Sequence, residues 1–225
     1  MKRRACLQWA GATALVGLAG KALAGSFEDF QTAIVRDDYL LMHRLLQRGI
    51  DPNTIDAQGR PGLVRAMQLQ SLRVVYMLVR APGIRINQPS AQGETVLMLA
   101  CIKGQLEWVQ RLLAMQATVN HPGWAPLHYA ASADLPDSVA IAKLLLEHHA
   151  YIDAESPNKS TPLMLAAQYG SESMVQLLLQ EGADVQLRNQ QGLSAVDFAQ
   201  RSEREFMVRL LKNAQQASRP APKGW

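Results

Sequence analysis

Apolar residues recur at helical spacing in short segments that come in pairs, and residues 160–184 show this pattern most clearly. Thr161-Pro162 predicts the start of a helix, and Gly170 predicts its end. A second helix follows, with Gly182 where a chain leaving a helix needs a left-handed residue. The apolar faces of the two helices consist of Leu163, Ala166 and Ala167 and of Met174, Val175, Leu177, Leu178 and Leu179. This is a predicted helix hairpin of about thirty residues, too small to bury its own apolar faces.

Similar hairpins are predicted along most of the chain. Equivalent apolar anchors lie 33, 34, 30, 36 and 33 positions apart, at Phe30, Leu63, Leu97, Leu127, Leu163 and Val196. The spacing predicts six tandem repeats within residues 25–212, over approximately 26–55, 56–89, 90–120, 121–155, 156–188 and 189–212. The first and last repeats follow the pattern least closely, so we expect them to act as caps on a stacked array.

The repeat resembles the ankyrin repeat, whose pattern is Gly-x-Thr-Pro-Leu-His-x-Ala-Ala, then Gly, Val-Val-x-Leu-Leu and Gly-Ala-Asp. The matching residues of the fifth repeat are Thr161, Pro162, Leu163, Ala166, Ala167, Gly170, Val175, Leu177, Leu178, Gly182, Ala183 and Asp184. The resemblance implies an all-α ankyrin-repeat solenoid with β-hairpin-like connecting fingers. Lys159 replaces the first Gly of the pattern, so we expect the turn there to avoid a strongly positive φ.

The fourth repeat departs from the others at two places. Three residues of the usual connector are missing between Asn120 and Gly123. The segment 132–138, between the two helices of the repeat, is about three residues longer than its counterparts. This repeat is therefore expected to have a shortened finger and an enlarged loop.

Residues 1–24 have the features of a secretory signal peptide. The segment begins with Lys2, Arg3 and Arg4, continues with a weakly apolar run over 10–19, and ends in Ala22-Leu23-Ala24, which predicts cleavage after Ala24. The apolar run is short and contains glycine, which argues against a membrane anchor. Arg3-Arg4 resembles a twin-arginine signal. We therefore expect a protein exported to the bacterial periplasm, by either the twin-arginine or the general route.

Removing this segment changes the charge of the chain. The whole sequence has 23 basic and 19 acidic residues, and all four charges of the segment are positive, which leaves 19 of each. A neutral chain gives no electrostatic reason to expect nucleic acid or an anionic membrane as a partner. Only Cys101 remains, so no intrachain disulfide is expected, and its position on the inward face of a helix predicts an inert core thiol.

The sequence contains none of the catalytic motifs that we would expect of a hydrolase or a nucleotide-dependent enzyme. Three of the histidines each have a predicted structural role, namely His128 in the Thr-Pro-Leu-His slot and His148 and His149 at a helix end. We therefore expect no catalytic residue, no metal site and no cofactor. A metal-dependent hydrolase that uses His121, His128, Asp134 and His148 stays open as an alternative.

Binding is the better-supported function. In the ankyrin family, partners are held by finger tips and by the groove along the first helices, and the resemblance places these residues there: Trp124, Tyr129, Tyr169, Met98, Met164, Arg60, Glu94 and Lys103. Aromatic and thioether side chains provide large contact areas. Trp124 has a second interpretation, in which it folds back and fills the gap left by the shortened connector. Tyr129 and Tyr169 have one too, in which they pack between repeats.

The sequence thus favours a monomeric, non-catalytic module that binds a periplasmic protein. A dedicated accessory or inhibitory protein for one periplasmic enzyme, such as an immunity protein, is the alternative of the same kind. Residues 213–225 contain two prolines and no periodic apolar face, which predicts a disordered tail.

Overall fold

A computed structural model describes residues 14–218, with side-chain positions from residue 25, and contains twelve α-helices and no β-strand within that range. The helices are α1 (Ala14–Val35), α2 (Tyr39–Gln47), α3 (Gly62–Gln68), α4 (Leu72–Leu78), α5 (Val96–Ile102), α6 (Leu106–Ala114), α7 (Pro126–Ser132), α8 (Ser138–Glu147), α9 (Pro162–Tyr169), α10 (Glu172–Gln180), α11 (Ala195–Arg201) and α12 (Glu205–Ala217). Consecutive helices form six hairpins, so each predicted repeat has its first and second helix.

The two ends of the predicted organisation fall largely outside the described residues. Of the predicted signal peptide, residues 1–13 lie outside them, and the described helix α1 continues without a break past the predicted cleavage position. At the other end, α12 reaches Ala217, so the prediction that the tail begins at residue 213 is wrong. The side chain of Gln215 donates to the Val185 carbonyl, which ties the last turn of α12 to the preceding connector. The predicted tail residues 219–225 lie outside the described range.

No helix within 14–218 is both long and apolar enough to span a bilayer.

The chain divides into two compact units, with the boundary after Arg85. In the first unit, α1 packs on α3 and α2 on α4, so like helices of the two hairpins lie side by side. The core is formed by Phe30, Ala33, Ile34, Met42, Leu45, Leu63, Met67, Val74 and Leu78. Gly62 is needed for this packing, because a Cβ there would lie 2.6 Å from the Phe30 ring.

The second unit contains the other four hairpins. The first helices pack in the order α5, α7, α9, α11, and the second helices α6, α8 and α10 pack in the same order beside them. Cys101 is fully buried in this core, and burial raises the pKa of its thiol above the ordinary value. The prediction of a core thiol is confirmed.

Three of the first helices begin at a hydroxyl residue that caps them. The hydroxyl oxygens of Thr95, Thr161 and Ser194 each accept a hydrogen bond from the backbone N–H three residues later, at 3.3, 3.4 and 3.4 Å. Gly182 ends α10 with φ of +96°, as predicted. His149 ends α8 in the same left-handed region, with φ of +64°.

The connecting fingers are tight turns without a strand ladder within the described residues. Ser156 N–H donates to the Ser160 carbonyl at 3.1 Å, and Asn189 N–H to the Leu193 carbonyl at 3.0 Å. The expectation for Lys159 is wrong, because its φ is +60°. Its N–H donates to the Ser156 carbonyl at 2.7 Å, and this turn requires a left-handed residue at that position whatever its side chain.

The fourth repeat has both predicted irregularities. The connector before α7 covers 115–125, which is three residues shorter than the connectors 148–161 and 181–194. The loop between α7 and α8 covers 133–137, whereas the corresponding loop in the third repeat covers 103–105. Leu135 of this loop packs over Gly104, where an added Cβ would lie 3.0 Å from the leucine. The enlarged loop therefore covers the end of α5.

Asparagine side chains join successive repeats. Asn120 accepts a hydrogen bond from Tyr151 N–H at 2.9 Å and donates one to the His149 carbonyl at 2.8 Å. Asn53 and Asn87 make the same pair of bonds within their own units. In the next repeat Asp153 takes this position, and it only accepts, from Asp184 N–H at 3.1 Å.

Asp153→Asn is expected to stabilise the fold by about 1 kcal/mol at pH 7, because the amide restores the missing donor. Burial and, secondarily, the nearby charge of Asp184 raise the pKa of Asp153 above its ordinary 3.8, and the hydrogen bond from Asp184 N–H only partly opposes this rise. A carboxylate with a raised folded-state pKa destabilises the fold above that pKa, and the penalty disappears as the pH falls below 3.8. The increase in the free energy of unfolding that Asp153→Asn causes, measured by urea unfolding, should therefore shrink between pH 7 and pH 3.5. Asn120→Asp is the inverse control and should lose about 1 kcal/mol at pH 7; a neutral result for both variants contradicts this account.

An arginine of the last repeat completes the end of α9. The Arg204 guanidinium donates to the carbonyls of Ala166, Ala167 and Gly170, at 3.2, 3.1 and 2.6 Å. The last carbonyls of a helix have no partner within the helix, and a cation at this end is favoured by the helix dipole. The sixth repeat therefore supplies a donor to the Ala167 and Gly170 carbonyls and a second donor to the Ala166 carbonyl, which already accepts from Gly170 N–H at 2.9 Å.

Candidate partner-binding groove

A groove runs along the exposed side of three first helices of the second unit, α5, α7 and α9. Its volume is about 270 Å³, and it is lined by Ile102, Trp124, His128, Tyr129, Ser132, Leu165 and Tyr169. Its lining is largely apolar and aromatic, and it brings together three of the sequence-predicted residues: Trp124, Tyr129 and Tyr169.

The helical register explains why these side chains converge. Tyr129 in α7 and Leu165 in α9 occupy the same repeat position, one residue after the His slot of the pattern. Ile102 in α5 and Ser132 in α7 share another position, three residues further along the helix. Residues three apart lie on the same helix face, so packing the first helices side by side aligns these positions.

Trp124 reaches the groove from the shortened connector. Its ring lies edge-on to His128, with centroids 5.4 Å apart, and to Tyr129, with centroids 6.5 Å apart. Trp124 remains 38% exposed and Tyr169 remains 56% exposed. The indole is therefore supported on one side by these two rings and still presents an open surface.

Tyr129 adds a polar group at the groove. Its hydroxyl donates to the Glu94 carboxylate at 3.4 Å. Burial first, and then the negative charge of Glu94, raise the pKa of Tyr129 to about 12. At neutral pH the phenol is protonated, so Glu94 holds the ring through a hydrogen bond.

His128 forms the floor of the groove, where both of its ring nitrogens are used. Nδ1 accepts from Ala125 N–H at 3.1 Å, so Nε2 carries the proton and donates to the Ser160 carbonyl at 3.0 Å. Burial lowers the pKa of His128, and the hydrogen bonds to backbone groups only partly oppose this change. The predicted structural role is confirmed, and it extends from one repeat to the next.

The prediction that Met98 and Met164 belong to an outward-facing surface is wrong. Both are almost completely buried. Each occupies the His slot, and its thioether accepts a hydrogen bond from the N–H of Thr95 or Thr161 at 3.4 Å. A side chain that turns back to the helix start in this way points away from the groove.

The two predicted basic residues do not line the groove. Arg60 belongs to the first unit, where its guanidinium pairs with Asp56 at 2.7 Å and braces the connecting turn. Burial raises the pKa of Asp56, but the hydrogen bonds from Arg60 outweigh this effect and lower it below 3.8. Lys103 is exposed beyond the end of α5. Of the three charged residues predicted to bind a partner, only Glu94 contacts a residue of the groove.

Ile102 and Leu165 line the groove although the sequence analysis did not name them. Ile102 occupies the repeat position of Ser132, and Leu165 occupies that of Tyr129. A position-by-position alignment of the repeats would therefore have identified both residues. Within residues 25–218, no group of three His, Cys, Asp or Glu side chains is placed to hold a metal ion.

Taken together, the hairpins, their stacking within each unit and the exposed side of the first helices define a repeat scaffold. A family model described as ankyrin repeats (3 copies) matches residues 63–156 and 140–219, which is more than half of the chain. The chain belongs to the ankyrin-repeat family, as its resemblance predicted. Ankyrin repeats are protein-interaction modules.

Individual relatives agree with this assignment. Over 186 residues the chain is 28% identical to human transient receptor potential cation channel subfamily A member 1, a match that covers 78% of this chain and 16% of that protein. Over 117 residues it is 36% identical to neurogenic locus notch homolog protein 1 of Mus musculus, covering 50% of this chain and 4% of that protein. The chain thus spans less than a fifth of each of these relatives.

A solved structure is similar over most of its length. The human ASB11 ankyrin repeat domain superposes with a TM-score of 0.70 and 26% sequence identity, covering 85% of this chain and 84% of that one. The all-helical solenoid class predicted from the sequence is confirmed.

Proposed function

We propose that this chain is a non-catalytic module that binds a protein partner in the groove along α5, α7 and α9. The observation that carries the proposal is the presence in one depression of Trp124 and Tyr169, two large aromatic side chains that remain partly exposed. Tryptophan and tyrosine are the residue types most enriched at binding hot spots. The helices hold the groove open without a partner, so little conformational entropy is lost on binding.

The size of the groove favours a side chain of a protein over a small molecule. Its volume of about 270 Å³ is below the roughly 300–1,000 Å³ typical of small-molecule sites. It fits one bulky apolar anchor of a partner, with Trp124 and Tyr169 as two walls. The carboxylate of Glu94 beside Tyr129 gives that anchor a polar neighbour.

We also propose that the partner is periplasmic and that the chain acts there as a monomer. The support for the periplasmic location is the composition of residues 1–24, with a basic start, a short weakly apolar run and a small-residue cleavage signal. A general binding module and a dedicated accessory or inhibitory protein use the same groove under this proposal. They differ in whether one enzyme or several proteins occupy it.

Trp124→Ala is expected to weaken partner binding about 30-fold, because truncating a hot-spot aromatic removes about 2 kcal/mol. It should lower the free energy of unfolding by only about 1 kcal/mol, because the indole packs edge-on against two rings and is otherwise open. The partner is first captured on the purified chain from separate periplasmic and cytoplasmic fractions. Its affinity for each variant is then measured by calorimetry, and denaturant unfolding gives the stability.

Tyr151→Ala is the matched control. Tyr151 is 69% exposed and lies outside the groove lining, so its loss should change affinity by less than about two-fold. Equal losses for the two variants would place the binding surface elsewhere. A partner found only in the cytoplasmic fraction contradicts the proposed export, and one stoichiometric enzyme supports the dedicated role.

A further inference from the structure

The second helices of the first unit contain arginines and no acidic residue, and the nearest carboxylates, of Asp37 and Asp38, accept backbone N–H groups at the helix starts. Neither α2 nor α4 contains an Asp or Glu. Four exposed arginines lie in these helices or directly after them, and we call them the arginine face: Arg44, Arg48, Arg73 and Arg80. By contrast, every second helix of the other unit carries a glutamate, at Glu107, Glu147, Glu172 and Glu205.

Two of these guanidinium groups lie over aromatic rings. The guanidinium carbon of Arg73 lies 4.2 Å from the ring centroid of Tyr39 on the neighbouring helix, and that of Arg80 lies 4.1 Å from the ring of Tyr76. A ring contact of this kind restricts the position of the guanidinium group and covers only one side of it. Within residues 25–218, none of the four arginines of this face forms an ion pair with a carboxylate.

The charges of the chain are also unevenly distributed. Residues 25–85 contain eight basic residues, all arginine, and six acidic ones, a net charge of +2. Residues 86–218 contain nine basic and thirteen acidic residues, a net charge of −4. Residues 25–85 are therefore locally positive although residues 25–225 are neutral in total, and the total charge of the sequence did not show this difference.

We propose that the arginine face docks a carboxylate-rich segment of a partner protein. A guanidinium group binds a carboxylate through two parallel hydrogen bonds, and a group already held by a ring contact loses less entropy when it does so. Arginines held over aromatic rings favour this use over an anionic membrane surface, where long basic side chains extend freely toward the headgroups. The face is independent of the proposed groove, and either proposal can fail without the other.

The test uses a fluorescein-labelled decaglutamate peptide and fluorescence anisotropy at 50 mM NaCl. The double variant Arg73→Gln/Arg80→Gln is expected to weaken binding about ten-fold, because it removes two charge-assisted contacts. The control is Arg111→Gln/Arg209→Gln, which removes the same charge and two arginines that also lie over aromatic rings, at 5.5 and 5.7 Å. It should weaken binding by no more than about two-fold.

Two further measurements make the result decisive. Arg73→Lys/Arg80→Lys keeps the charge but cannot form the two parallel hydrogen bonds of a guanidinium group, so an intermediate loss of affinity is expected. Circular dichroism melting of each surface variant should match the unaltered chain. The proposal is overturned by equal losses in the two glutamine variants, by the absence of decaglutamate binding, or by preferential binding to phosphatidylserine vesicles through the same arginines.

Discussion

Gly170→Ala is expected to lower the free energy of unfolding by about 3 kcal/mol. A Cβ at this position would overlap the carbonyl oxygen of Ala131 in α7, and it would also lie 3.0 Å from the Cα of Ala166. Both obstacles are backbone atoms, which cannot rotate away as a side chain can. The variant can fold only if α7 and α9 move apart, and urea unfolding should show the loss as a lower midpoint.

Gly182→Ala is the control for the backbone conformation of glycine. Gly182 has φ of +96° and no atom within 4 Å of an added Cβ, so its substitution tests left-handed strain alone. That strain should amount to about 1 kcal/mol. If Gly170→Ala were no more destabilising than Gly182→Ala, the close approach of α7 and α9 would not be a constraint on the fold.

His128→Leu is expected to destabilise the chain by about 2 kcal/mol at pH 7, because it leaves the buried Ala125 N–H without a partner and removes one of the two donors to the Ser160 carbonyl. His128→Met should be milder, since Met98 and Met164 occupy the same slot elsewhere and accept the equivalent N–H. The methionine variant loses only the bond to Ser160. Equilibrium urea unfolding of all three chains ranks these effects.

The pH dependence separates the histidine from its replacements. The folded-state pKa of His128 lies below 6.5, so the unfolded chain binds more protons as the pH falls below that value. Stability contributed by the neutral ring is therefore present above pH 6.5 and declines below it. Between pH 7 and pH 5 the unaltered chain should lose about 1 kcal/mol more than His128→Met. Parallel pH profiles would mean that protonation of this ring is not coupled to folding.

The sequence predicted the helix pairs well because their boundaries depend on local residues. Thr161-Pro162 marks the start and Gly182 the end of a hairpin that the apolar spacing already defines. The missing and extra residues of the fourth repeat appear directly in the lengths of its connectors. The end of α12 was misjudged because its last turn is held by Gln215 bonding to Val185, thirty residues away.

The candidate site was predicted only in part. Trp124 and Tyr169 were identified by residue type and slot, and the structure places both in the groove. Met98 was assigned to the surface because its slot was taken to face outward, whereas a side chain that caps its own helix must turn inward. The hydrogen bond between Tyr129 and Glu94 joins residues 35 positions apart, and helical periodicity carries no information about such a pair.

The three carbonyls that Arg204 satisfies have a consequence for synthesis of the chain. The helix α9 is synthesised 35 or more residues before Arg204, so its end lacks these donors until most of the sixth repeat has been translated. A premature stop codon between 171 and 203 would release a chain with that end unfinished. Such a product would be an early target for proteases, because the fifth repeat is completed only by a residue made after it.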